Sequence, residues 1–212
     1  MVQQKRRAPG RPRIRKSEIS TKQLILQKAT PLFLNGGYQK VSIDDVAAAA
    51  GMTKASVYYY FSSKADLFKV AMVEMMKRIT VQMDKLFQTD KPLRDQLKDV
   101  TLSHLRATTT LDIGSLTRET KTALSVKQQA EMNQAEDEMY RCIERAFERS
   151  QSRGDVAPAN KGFAAHALVA LLKIGNMKSE NGLLLFPSVD EAAEEILDAF
   201  WHGFFTQSDS NV

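Results

Sequence analysis

The run S-I-D-D-V-A-A-A-A-G-M-T-K-A-S-V-Y-Y-Y-F, residues 42–61, followed by S-S-K ending at Lys64, decides the architecture. Ser42 is a good helix N-cap, and Asp44 and Asp45 lie in the first turn, where carboxylates suit the positive end of the helix dipole. Ile43, Val46, Ala47 and Ala50 recur at i, i+3, i+4 and i+7, which marks one buried face. Gly51 tolerates the left-handed backbone that ends such a helix. Two residues later Thr53 can cap a second short helix, Lys54 to Tyr60. Two short helices around a glycine-bearing turn make a helix-turn-helix. The second exposes lysine, serine and three tyrosines, a surface suited to a DNA groove.

The stretch G-M-T-K-A-S-V-Y-Y-Y-F-S-S-K-A-D-L resembles the TetR family of bacterial one-component repressors (TetR/AcrR type). Gly51, Tyr58, Tyr60, Phe61, Lys64 and Leu67 stand where that family has its turn glycine, aromatic-x-aromatic-Phe ending, lysine and apolar residue. The likeness covers roughly Ser20 to Ala71, across three successive helices; beyond it the chain resembles the family only in length and helical style. The resemblance implies that Thr53, Lys54, Ser56 and Tyr59 read bases or touch the groove. It implies phosphate contacts for Ser42, Tyr58, Tyr60 and Lys64. Where Tyr60 stands the family often has histidine; a tyrosine donates to phosphate without charge. Val57 and Phe61, four apart, face the three-helix core, and one of Tyr58 or Tyr60 is open to partial packing with them.

Charge points to the same partner without any family. Residues 1–64 hold twelve Lys and Arg against Glu18, Asp44 and Asp45, a net charge of +9, whereas residues 65–212 carry −4. A basic head on a mildly acidic body is the footprint of a nucleic-acid binder with a second domain. Within the head, K-R-R-A-P-G-R-P-R-I-R-K is too charged and proline-rich to pack. Two readings stand for it: a solubilising tail, or an arm in which Arg11 and Arg13 flank Pro12 as in AT-hook-like segments and enter a narrow A·T minor groove.

The rest reads as helices, for an all-α fold of about nine. Residues 1–19 form the basic arm, 20–80 the DNA-binding domain and 81–212 a domain for effector binding and dimerisation. Ser20 with Gln23 opens the first helix by a capping box, and Asn35-Gly36-Gly37 stops it; Pro31 lies inside it, where proline commonly costs ~3 kcal/mol. Ser63 opens a long helix with Leu67, Val70, Ala71, Met75, Ile79 and Met83 along one side. Further helices are expected from Leu93, from Ser125 to Ser152, from Asn160 to Lys178 and from Ser188 to Gln207, with a break at Thr108, Thr109 and Thr110. The last two resemble, by position and length, the pair through which the family dimerises. That makes Leu168, Leu171, Leu172, Ile196, Leu197, Phe200 and Phe204 the candidate homodimer interface. The run Leu183-Leu184-Leu185-Phe186 covers the core or joins that contact.

No catalytic constellation is present, and no cofactor is called for. His104, His166 and His202 lie on three different helices without metal-ligand spacing, and the phosphate-loop, nucleophile-elbow and H-E-x-x-H patterns are absent. The single Cys142 reads as a packed helix residue and suits a reducing cytoplasm. No apolar run spans a bilayer, and no apolar segment follows the basic N-terminus as in a secretory signal. Met83, Phe87, Met132, Met139, Phe163 and His166, with Met75, Met76 and Trp201, offer pliable walls for a small-molecule effector, and equally those of an ordinary core. The expected protein is a cytoplasmic, non-enzymatic regulator. It binds double-stranded DNA as a homodimer and, as a repressor, is released by a hydrophobic or amphipathic effector. The alternative is a constitutive or nucleoid-associated DNA binder whose body only dimerises.

Overall fold

The computed structural model describes residues 20–109, 119–120, 122–177, 181 and 183–205, and among these every regular element is a helix. Among the described residues eight helices have both ends defined: α1 Thr21–Gly36, α2 Ile43–Ala49, α3 Lys54–Tyr60, α4 Lys64–Phe87, α5 Leu93–Thr108, α6 Val126–Ser152, α7 Lys161–Ile174 and α8 Val189–Phe205, and residues 119–120 and 122–123 are helical as well. Arg11 and Arg13 of the basic arm lie outside the described residues, as does Thr110 of the threonine run.

Local chemistry sets the boundaries. The Ser20 hydroxyl accepts from the Gln23 amide while the Gln23 side chain accepts from the Ser20 amide, so α1 opens with a full capping box. Ser42, Ser63 and Ser125 accept in the same way from Asp45, Asp66 and Gln128, and Asn160 caps α7 through the Phe163 amide. Helix α1 passes through Pro31 without ending. Gly51 has φ +65°, the left-handed turn that lets α3 set off at an angle to α2.

Two hydrophobic cores result. The head core gathers Ile25, Ala29, Phe33, Val46, Val57, Phe61, Leu67 and Phe68 from α1–α4. Phe68 meets both Phe33 and Tyr38 edge-on, at 5.1 Å between ring centroids, and burial pushes the Tyr38 phenol pKa up. This core also takes Leu124, with Ala123 and Met132 packed against it, so residues far beyond position 80 help to close the head. The body core is built from Met83 and Phe87 of α4, Leu97 and Leu105 of α5, Cys142, Ile143 and Phe147 of α6, and the inner faces of α7 and α8. Phe147 is fully buried, with Phe200 and Phe205 at 6.4 and 5.9 Å. Cys142 is fully buried, its thiol directed at the Thr80 carbonyl at 3.8 Å, and burial raises its pKa.

Between the cores the middle of α4 is open to solvent. Ile79, expected on the inner side, is exposed, because this part of the helix bridges two cores and belongs to neither. Along α5 and α8, Arg94, Lys98 and Arg106 pair with Asp198, Glu194 and Asp190, an antiparallel ladder that fixes register. These pairs are largely exposed and add little stability. Phe147→Ala should therefore lower unfolding stability by about 3–5 kcal/mol, whereas Arg106→Ala should leave the urea midpoint nearly unchanged. Equal midpoints for the two variants would contradict this division.

Candidate nucleic-acid interface

The outer surface of the head is built on α2 and α3. Val57 and Phe61 point inward and are almost completely buried, which turns the remaining side chains of α3 outward. Tyr59 is 83% exposed, Tyr58 46% and Tyr60 37%, and none of the three belongs to the head core. The Tyr59 and Tyr60 rings meet edge-on at 5.0 Å. Large amphipathic rings held out into solvent on a seven-residue helix are costly unless something covers them.

The polar groups around them are already organised. The Thr53 hydroxyl accepts from the Ser56 amide at 3.2 Å and lies 2.9 Å from the Ser56 hydroxyl, so this pair first of all starts α3. Ser42 donates from its amide (2.8 Å) and hydroxyl (2.7 Å) to the Asp45 carboxylate, and those bonds depress the Asp45 pKa. The Lys54 ammonium donates to Asp44 at 2.7 Å, and that hydrogen bond raises its pKa. Both partners are exposed, so a nucleic acid competes with Asp44 for an amine that is already charged and forward-facing. Lys64, at the start of α4, donates to the Gln39 carbonyl at 3.0 Å and sits 4.6 Å from the centre of the Tyr38 ring. Its partial burial lowers its pKa, against the raising influence of the Glu119 and Asp45 charges.

The residues singled out from sequence on α2, α3 and α4, Ser42 through Lys64, thus sit together on one head. Three others share their surface without having been singled out. Thr21, Met52 and Ala55 join Ser56, Tyr59 and Tyr60 around an open hollow of about 500 Å³ between the start of α1 and α3. Ala55, one turn before Tyr59, carries a sequence signal, since a small side chain there leaves room beside the ring. Thr21 carries none, because only the fold brings the start of α1 next to α3.

The expected effector residues are not gathered at one place. Met83 and Phe87 are packed in the body core, Met132 leans on the head core, and Met139 is half-buried. Phe163 is 63% exposed, and His166 lies on the surface with its ring stacked on Tyr140 at 3.9 Å. A hollow of about 490 Å³ lies instead where the α4–α5 turn meets the ends of α6 and α8, with Trp201 on its wall. The expected dimer residues are divided between inside and outside. Leu168, Leu172, Ile196, Leu197 and Phe200 are inside the protomer, and only Leu171 and Phe204 are partly exposed. Helices α7 and α8 are apolar on more than one side, and the larger side chains close the protomer first. The same helices turn Phe163, Ala170, Ala199 and Gly203 to solvent. Leu183, Leu184 and Leu185 are exposed as well, while Phe186 packs on the body core.

No described helix is long and apolar enough to cross a membrane. Among the described residues no group of three or more His, Cys, Asp or Glu is placed to hold a metal ion.

Comparison with known proteins adds the family. Residues 25–71 match the family model described as bacterial regulatory proteins, tetR family. The chain is 29% identical over 79 residues to an uncharacterized HTH-type transcriptional regulator of Bacillus subtilis, YhgD, a stretch covering 37% of this chain and 41% of that one. It is 42% identical over 48 residues to the HTH-type transcriptional regulator AcrR of Shigella flexneri, covering 23% of this chain and 22% of that protein. These alignments thus span less than half the length of either relative. In three dimensions the likeness extends further. The transcriptional regulator FadR of Bacillus subtilis, solved in complex with stearoyl-CoA, superposes with a TM-score of 0.66 at 14% identity over 85% of this chain and 98% of that one. Residues 25–71 thus form a head that matches the tetR family of bacterial regulatory proteins across α1–α4, carried on a helical body whose fold is that of the superposed regulator.

Proposed function

We propose that the protein is a transcriptional regulator that binds an operator as a homodimer through α3, acts as a repressor, and is released by an amphipathic small molecule. The observation that carries this reading is the outward face of α3, where Tyr58, Tyr59 and Tyr60 stand exposed beside Lys54. Rings on a helix face lie against sugars and thymine methyls, and a forward lysine addresses guanine O6 and N7. Ser42 and Lys64, on the flanks of that face, take the phosphates, and the +9 charge of residues 1–64 draws the head to the duplex.

Dimerisation would use the outward stripe of α7 and α8. Ala170, Ala199 and Gly203 are small enough for close helix approach, and Phe163 with Phe204, 5.2 Å apart, supplies the apolar weight. The effector is proposed to enter the body. There Thr101 is fully buried with a hydroxyl that lacks a hydrogen-bond partner, and burial, with the Lys173 charge, lowers the pKa of His104 one turn on. An apolar ligand with one polar group suits those residues, and B. subtilis FadR, which shares the fold, was solved in complex with stearoyl-CoA.

Binding to the chain's own upstream DNA, followed by gel shift across a salt series with and without acyl-CoA esters, tests the reading. Lys64→Gln should weaken binding to every sequence, whereas Lys54→Ala should change which base is preferred at one position, by about 1–3 kcal/mol. Uniform weakening by both would contradict the division of roles. Specific binding that no ligand weakens would favour a constitutive binder. Ala170→Arg should convert the dimer to a monomer in sedimentation, and a dimer that survives it would place the interface elsewhere.

A further inference from the structure

The loop between α1 and α2 is held from two sides at one residue, through the two peptide groups that flank it. The Gln39 carbonyl accepts from Lys64, and the Gln39 amide donates to the Glu119 carboxylate at 3.0 Å, across 80 residues of chain. The loop is shaped for that carboxylate. Gly37 has φ +80°, and a Cβ there would stand only 3.0 and 3.2 Å from the two Glu119 oxygens. The stretch carrying Glu119 is fastened to the head at further points. Thr120 and Leu124 are buried, Leu124 within the head core, and Glu131 pairs with Lys69 of α4 at 2.8 Å. The same stretch runs directly into α6, which supplies Ile143 and Phe147 to the body core. A side chain of the body-connected segment therefore meets the residue whose carbonyl positions Lys64. Its charge also favours the ammonium form that burial of Lys64 opposes.

We infer that Glu119 is a positioning residue for DNA binding: through the backbone of Gln39 it holds Lys64 facing a phosphate, so that a shift of α6 loosens the grip on DNA without touching α3. The inference rests on the DNA-binding reading above and adds to it the route by which the body controls the head. Competition at the site is local. A carboxylate at 119 keeps the Gln39 amide engaged and the loop in place; withdrawn, it leaves Gln39, near a left-handed glycine, held through its carbonyl by Lys64.

The test uses the full chain and a double-mutant cycle. Glu119→Ala should weaken binding to the upstream DNA about tenfold, the loss of one charge-assisted hydrogen bond. It should also reduce the slope of log affinity against log salt by about 1, the loss of one phosphate contact. Lys64→Gln should lower the slope equally, and the double variant should be no weaker than Lys64→Gln alone. Glu119→Gln, whose amide oxygen still accepts, should restore most of the affinity. Glu119→Asp, one methylene too short to reach Gln39, should behave as the alanine variant does and serves if that one is unstable. Amide hydrogen exchange at Gln39 should quicken in both, with or without DNA. Wild-type affinity and slope in Glu119→Ala and Glu119→Asp, or losses that add in full to that of Lys64→Gln, would overturn the inference while leaving DNA binding intact. Failure of the wild-type chain to bind any DNA would remove both readings together.

Discussion

Helix α4 is one rod shared by two cores, and the arrangement of the molecule depends on it. Its first turns bury Leu67, Phe68, Ala71 and Met72 in the head, and its last turns bury Met83 and Phe87 in the body. At 24 residues it is about 36 Å long, and its middle carries Ile79 and Val81 in solvent. A helix buried deeply only toward its two ends keeps a fixed length but leaves the angle at either end to the packing around it. The head's orientation on the body is therefore set by what braces α4 from the side. That brace is residues 122–132, with Leu124 and Met132 against the head core and Glu131 on Lys69.

This geometry gives regulation a physical form. A regulator of this kind needs two sites joined by an element with more than one arrangement. The head offers a rigid face, because α2 and α3 are tied by caps at Ser42 and Thr53 and by burial of Val57 and Phe61. The body offers long helices with an unpartnered Thr101 hydroxyl in their core. What joins them is α4 together with the segment before α6. A ligand that favours another seating of α6 acts on both ends of that joint at once.

Much of this was legible in the sequence, for identifiable reasons. Helix starts follow from Ser20, Ser42, Thr53, Ser63, Ser125 and Asn160, whose side chains cap whatever the tertiary context. The outward tyrosines follow from Val57 and Phe61, which take up the buried side of α3. What spacing does not encode is which of two cores an apolar residue joins. Helix α6 is 27 residues long and passes both, so Met132 and Ile143 lie on one helix yet serve different cores. In α7 and α8 apolar residues occur on several sides, so the pattern does not tell protomer core from subunit interface; Leu168 and Phe200 went inside, and Ala170 and Gly203 remained out. The Glu119–Gln39 bond had no sequence signal at all, since a lone glutamate and a loop amide 80 residues apart share no motif.

The account stands on α3 entering the major groove as one of a symmetric pair. Hydroxyl-radical footprinting of the full chain on its own upstream DNA tests this most directly. Two protected windows about 34 Å apart along one face of the duplex are predicted, the spacing of successive major grooves. A single window, or even protection with no periodicity, would contradict it.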